Sequence, residues 1–292
     1  MTPLAALAWA LASGAFAADG PQAVQGLLQG FAASAGVSVP AAPPVARGAP
    51  VTPPPQTSAG PGLRLIYIPA KKAENKKYER LLRRSKIFED NVETLNAQLA
   101  LPIDLPIEVR ECGEANAWYH PDEHKIVFCY EELADAARLL KARVEPASAA
   151  DRLALGDALH TLYHELGHAL IDIFQLPAVG REEDAADQFA TLSLLGAGDG
   201  GEVAALVTAM QFLQSGTEDR HLPFWDEHSF DKQRYFDTLC LIYGKDPEKH
   251  KDLVGPKTLP AERAERCPDE YEKLDRAWDT LLAPHLKAAP PR

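Results

Sequence analysis

From residue 63 onward the apolar positions recur with two periods, and these divide the chain into elements. Leu63–Ile68 (LRLIYI) is a short apolar run bounded by Gly62 and Pro69, the signature of a strand. Between 73 and 99, Tyr78, Leu81, Leu82, Ile87, Phe88, Val92, Leu95 and Leu99 follow helical spacing, which predicts one helix over 73–99. Residues 106–112 and 117–128 read as two strands, with a turn at His120-Pro121-Asp122-Glu123, and Glu131–Arg143 reads as a helix. Ser148 and Asp151 form a capping-box pattern ahead of a long helix that runs to about Phe174, before Pro177. Further helices are predicted near 182–195, 202–214, 228–243 and 268–286. There are no internal repeats. The expected fold class is α+β: a small N-terminal sheet, antiparallel or mixed, followed by a mostly helical part.

Before residue 63 the pattern is different. Residues 4–17, LAALAWALASGAFA, are an apolar run ending in Ala15-Phe16-Ala17, which reads as a signal peptide cut after Ala17, although no Lys or Arg precedes it. Residues 18–62 are rich in Ala, Pro, Gly and Ser and hold too little apolar surface to offset their ordering entropy. They read as a linker whose prolines favour an extended spacer, with a partner for it unspecified. The expected organisation is a signal peptide at 1–17, a linker at 18–62, one domain at 63–287 and a short tail at 288–292.

Composition sharpens this division. Of 24 prolines in the 292 residues, ten precede residue 63, where Asp19 and Arg47 are the only charged side chains. The whole net charge of -12 therefore falls on the remainder, which argues against nucleic acid or an anionic membrane as partner. The signal-like run is short for a membrane span, so no stable span is expected once it is removed. The four cysteines, Cys112, Cys129, Cys240 and Cys267, are an even count in a chain expected to be secreted or periplasmic. Two strands joined by a hairpin would bring Cys112 near Cys129, which leaves Cys240 to pair with Cys267; no CxxC pair suggests a cysteine metal site.

The predicted long helix carries His164-Glu165-Leu166-Gly167-His168, an HExxH pattern. Two histidines four apart on a helix point about 40° from one another, so both imidazoles reach one ion, while Glu165 reaches a water on that ion and takes its proton. Fifteen residues after His168 comes Glu183, with Asp187 one turn later on a line with Ala186, Ala190 and Leu194. Two acids on an otherwise core-facing line are costly unless they bind something. The division this suggests is Glu183 as third ligand to Zn2+ and Asp187 as the acceptor for a ligand histidine N–H, with Glu182 the rival ligand. His160, one turn before His164, is a weaker alternative ligand. His228 follows the loop Pro223–Glu227, where a donor would stabilise an oxyanion, and Arg234 is placed to pair with Asp187 or Glu182. Tyr119 and Tyr163 read as structural, and His120 and His124 as solvated residues of a hairpin tip.

HELGH followed by ExxxD resembles the gluzincin metallopeptidases, the thermolysin clan. Asn116-Ala117-Trp118-Tyr119 resembles the NAFW edge strand of thermolysin, whose main chain holds the substrate backbone. His228 with Arg234 resembles the HPxxxxR motif of prenyl-protein proteases of that clan, with Ser229 in place of the proline. CGEANAWY, FCYEEL, YHELGHALID, GREEDAADQFA and EHSFDKQRYFDTLCLIYG together resemble a bacterial family recorded as metallopeptidases of unknown function, over roughly 63–285. The resemblance implies a zincin-like fold with the HExxH helix at its centre, zinc, and cleavage of a peptide or protein substrate. It assigns substrate alignment to Asn116, Ala117 and Trp118, and does not specify the substrate. The competing expectation is a non-catalytic, zinc-stabilised binding protein displayed on a flexible stalk; Glu165 argues for catalysis, because a purely structural site has no use for it.

Overall fold

The protein was analysed as a computed structural model that describes residues 60–215 and 224–288. The expected signal peptide, all of the linker except 60–62, and all of the tail except Ala288 lie outside the described residues.

Four strands form one mixed sheet: β1 (Leu63–Tyr67), β2 (Leu105–Arg110), β3 (Ala117–His120) and β4 (Lys125–Cys129), in the order β1-β2-β4-β3. β1 and β4 both pair with β2 in parallel, and β3 pairs antiparallel with β4. On β2 the side chains of Leu105, Ile107 and Val109 are buried and those between them are not, so one face seats on the core. β3 is an edge strand, with one side of its backbone unpaired in the sheet.

A parallel pair needs a crossover, and α1 (Ala73–Ser85) and α2 (Ile87–Gln98) supply it between β1 and β2. The single helix expected over 73–99 is therefore two. Lys86 stands in the left-handed region, φ 60°, and ends α1 with its N–H on the Leu82 carbonyl. Its turn sends Ile87 and Phe88 into the core, where Phe88 meets Phe128 edge-on at 5.1 Å. The strand expected over 117–128 is likewise a hairpin, broken at 121–124, where His124 has φ 44°.

Both expected cysteine pairs lie at disulfide distance, Cys112–Cys129 at 2.03 Å and Cys240–Cys267 at 2.06 Å. The hairpin is not what joins the first pair: parallel register sets Arg110 opposite Cys129, and Cys112 follows two residues on.

The helical part comprises α3 (Tyr130–Lys141), α4 (Ala147–Ile173), α5 (Glu182–Gly196), α6 (Asp199–Ser215), α7 (Asp231–Lys245), the single turn α8 (Ala261–Ala264) and α9 (Cys267–Leu282). α4 packs against α3, α5, α6 and β3, and most of its residues are buried on every side, as its Ala- and Leu-rich sequence requires. Its start differs from expectation. Pro146 precedes it and no side chain caps it; Asp151 instead receives Lys77 and Lys141 at 2.7 and 2.8 Å. α7 begins at Asp231, three residues later than expected, which leaves His228 on the preceding loop. α9 ends at Leu282, followed by a 3₁₀ turn over 283–285. The chain then returns to α2, where Lys287 N–H donates to the Gln98 carbonyl (2.7 Å). Among the described residues no helix is long and apolar enough to cross a membrane.

Candidate metal centre

The close approach of α4 to α5 builds the centre, and Gly167 permits it. A Cβ at that position would stand 3.1 Å from the Ala186 Cα and 3.3 Å from its Cβ, tighter than ordinary van der Waals contact. With hydrogen there instead, the first turns of α5 lie against the face of α4 that carries His164 and His168.

Glu183 is where the side chains converge. Its Oε2 lies 3.1 Å from His164 Nε2, 3.3 Å from His168 Nε2 and 2.9 Å from His228 Nε2. The two helix-borne imidazoles meet at 3.2 Å between their Nε2 atoms, and the rings of His164 and His228 stack at 6.5 Å. Ligand-type atoms of His164, Glu183 and His228 all fall within 4.8 Å of one another, a spacing that suits one metal ion. Glu182 does not reach this point; its Oε1 meets the other nitrogen of His168, Nδ1, at 2.8 Å.

Each of the three imidazoles is held from behind by a carboxylate. His164 Nδ1 donates to Asp187 Oδ1 (2.8 Å), His168 Nδ1 to Glu182 Oε1 (2.8 Å) and His228 Nδ1 to Asp226 Oδ1 (3.1 Å). A carboxylate accepts and does not donate, so each Nδ1 carries a proton, and a metal bound at the cluster would displace any proton on Nε2 and take its lone pair. Arg234 in turn grips Asp187 with both ends of its guanidinium, at 2.6 and 2.8 Å, and stacks over Phe212. Of the two acids the sequence offered, the partner of Arg234 is Asp187. Arg181 steadies the loop by donating to the His228 carbonyl (2.8 Å).

The electrostatics follow from this packing. Burial opposes charge on His164, but its hydrogen bonds to Asp187 and Glu183 outweigh that and push it up to about 10. Burial likewise raises Glu183, yet hydrogen bonds from His164, His168 and His228 hold it well below the usual carboxylate range. Asp187 is held low by Arg234 in spite of its burial. The charge on these carboxylates is thus maintained at neutral pH. The donor set of imidazole nitrogens, each backed by an outer carboxylate, and one carboxylate oxygen is chemically fitted to a divalent transition metal.

Glu165 is buried beside this cluster, and desolvation raises its carboxyl. It lines a groove of about 800 Å³ together with His164, His168, Glu183, His228, Asn116 and the β3 residues Ala117, Trp118 and Tyr119. The sheet-edge residues singled out in the sequence and the helical cluster thus face one space. Tyr119 donates to Asp172 (2.6 Å) and contacts His124 Nδ1 (3.0 Å), so His124 belongs to a hydrogen-bonded group and is not simply solvated. His160 points elsewhere, to Thr191 Oγ1 (3.2 Å), and burial holds it neutral with a pKa down to about 3. Tyr163 is buried with its hydroxyl on Asn91 Oδ1 (3.0 Å), as a structural residue is.

Sequence reasoning missed two of the outer carboxylates. Glu182 was weighed as a ligand and as a partner of Arg234 but not of an imidazole, and Asp226 not at all, though its place two residues before His228 was a signal.

Helix-borne imidazoles, a shared carboxylate and an adjacent buried acid make this a candidate centre for metal-assisted hydrolysis. A family model described as "Putative metallopeptidase" matches residues 67–282, and the chain belongs to that family. No curated protein and no solved structure matches it. Membership of the family implies a metal and peptide substrates, and the His164, Glu183 and His228 group has the donor types to hold the metal.

Proposed function

We propose that the protein is a zinc-dependent, gluzincin-type peptidase with a zincin-like fold, organised around the HExxH helix. The observation that carries this reading is the backing of three imidazoles by three carboxylates, which turns their Nε2 atoms on Glu183. His164, His168 and Glu183 hold the ion, with Asp187 and Arg234 fixing the orientation of His164. A divalent cation bound there supplies Lewis acidity that polarises a carbonyl and acidifies a water.

The protein's own groups do the rest. Glu165 takes a proton from the water that attacks the peptide carbonyl and delivers it to the departing amine. Its burial favours that second role, since a raised carboxyl holds a proton more readily. His228 donates a hydrogen bond to the carbonyl oxygen as negative charge develops on it. The main chain of Asn116, Ala117 and Trp118, on the open edge of the sheet, aligns the substrate as an added strand. Glu165→Gln is expected to lower kcat by at least about 10³-fold while zinc content stays near one per chain. Metal analysis beside peptide cleavage tests this, and a variant as active as wild type sinks the assignment.

A second reading rests on one observation, the 2.9 Å between His228 Nε2 and Glu183 Oε2. If His228 is a fourth ligand, the site is closed and structural, and the protein is a zinc-stabilised binding module on a stalk. His228→Ala separates the two: as an electrophile its loss lowers kcat by about 10²-fold with zinc retained, and as a ligand its loss weakens zinc binding.

The two cysteine pairs at disulfide distance support export, and the molecule is proposed as secreted or periplasmic. Residues 1–17 act as the signal peptide, 18–62 as the tether, 63–287 as the catalytic domain and 288–292 as a tail.

A further inference from the structure

A second cavity, of about 290 Å³, adjoins the groove and shares Asn116, Ala117, His164, Glu165 and His228 with it. It runs between α3, α4, α6 and the start of α7, and Glu132, Asp135, Asp157, Glu165 and Asp231 stand on its lining. Asp157 is 6% exposed and accepts from Thr208 Oγ1 at 2.8 Å, with further support from Gln211 and the field of Arg234, but makes no ion pair among the described residues. Glu132, on α3, makes no hydrogen bond or ion pair among the described residues. Asp135 stands on the same wall, held by Arg138 at 2.6 Å. The basic groups on the lining are already committed: Arg234 is bound to Asp187 on both nitrogens, His164 and His228 face Glu183 at 3.1 and 2.9 Å, and His160 is neutral.

Carboxylates drawn out of water without an ion-pair partner are costly. Burial and the neighbouring acids Asp157, Asp135 and Glu165 push Glu132 up to about 8, and Asp157 is raised to about 6. An arriving cation would favour the ionised form of both and would supply a counter-charge.

We infer that this cavity is a specificity pocket for a lysine or arginine side chain of the substrate, read by Glu132 and Asp157. This rests on the peptidase reading above for the identity of the bound chain. Ala117, Glu165 and His164 form part of both spaces, so a peptide laid along β3 would drop a side chain close to the scissile bond into the acidic cavity.

The test uses the full chain loaded with zinc and a library of randomised decapeptides. Lysine or arginine should be enriched at one position near the cut bond. The ratio of kcat/KM for an arginine peptide over its norleucine counterpart should fall at least about tenfold in Glu132→Gln, equivalent to about 1.4 kcal/mol. Asp157→Asn should lower the same ratio, and circular dichroism checks that both variants fold. In parallel, a labelled peptide with one arginine should bind wild type more tightly than its norleucine twin, and Glu132→Gln should remove the difference. Cleavage with no basic preference, or a ratio unchanged in both variants, overturns the inference. If no peptide is cut, the peptidase reading fails, and the binding comparison still decides the pocket: equal binding of the two peptides overturns it.

Discussion

Asp187 sits between an imidazole and a guanidinium, and its two oxygens divide the work. Oδ1 accepts from His164 Nδ1 and from one Arg234 nitrogen, while Oδ2 takes the other. Were it an amide, its NH2 would face a donor of either His164 or Arg234, and the charge that anchors His164 Nδ1–H would be gone. Asp187→Asn is therefore expected to weaken zinc affinity about 10–100-fold without abolishing it, as read by competition with a chromophoric chelator. At this scale the sequence was informative. The helical stripe singled out Glu183 and Asp187, and the structure brings Glu183, not Glu182, to all three Nε2 atoms. Glu182 and Asp226 were not legible as imidazole partners, because side-chain direction in the first turn of a helix and on a loop is fixed by packing that no local period records.

Between elements, the Cys240–Cys267 pair joins α7 to the start of α9 across 27 residues. The junction is tight: Gly244 lies one turn beyond Cys240, and a Cβ there would run into the Cys267 carbonyl. Closing a loop of this length stabilises a folded chain by about 3–4 kcal/mol in the chain-entropy account. The double variant Cys240→Ala, Cys267→Ala should lose stability of that order in urea unfolding, with the metal cluster on α4 and α5 retained. The element scale also holds the clearest failures of pattern reading. The period over 73–99 continues across Lys86, and nothing in it announces a left-handed residue that splits one helix into two. The Ser148 and Asp151 pattern was a capping box on paper, yet Asp151 finds two lysines from α1 and α3, and distant charge outcompetes a local cap.

Across the whole molecule the -12 charge has a structured part in the acidic cavity. Glu132 moves from an ordinary 4.5 up to about 8, and Asp157 from 3.8 to about 6, both chiefly through burial. Between those limits the folded chain holds protons that the unfolded chain has released, so these two groups make stability fall as pH rises. Glu132→Gln removes one of them. Its unfolding free energy should match wild type near pH 4 and exceed it by on the order of 1 kcal/mol at pH 8. Equal stability of the two proteins across that range would show that Glu132 is not penalised. Carboxylates such as Asp187 that are held low contribute in the opposite sense, so the informative quantity is the difference between the two proteins.

By itself, the sequence determined the features that depend on neighbours a few residues apart. These are the α+β order of elements, the HExxH helix with both imidazoles on one face, the acidic stripe that follows it, and the even set of cysteines. Tertiary structure decided what depends on residues far apart in the chain. It turned β2 parallel to β4, so that register rather than a hairpin brings Cys112 to Cys129. It brought His228 from a loop to within 2.9 Å of Glu183, and it set Glu132 and Asp157 on the wall of one cavity that also touches the proposed catalytic groups. The physical reason is common to all three. A local period fixes which face a side chain occupies, but only the packing of that face against other elements fixes what it meets and how far it is removed from water.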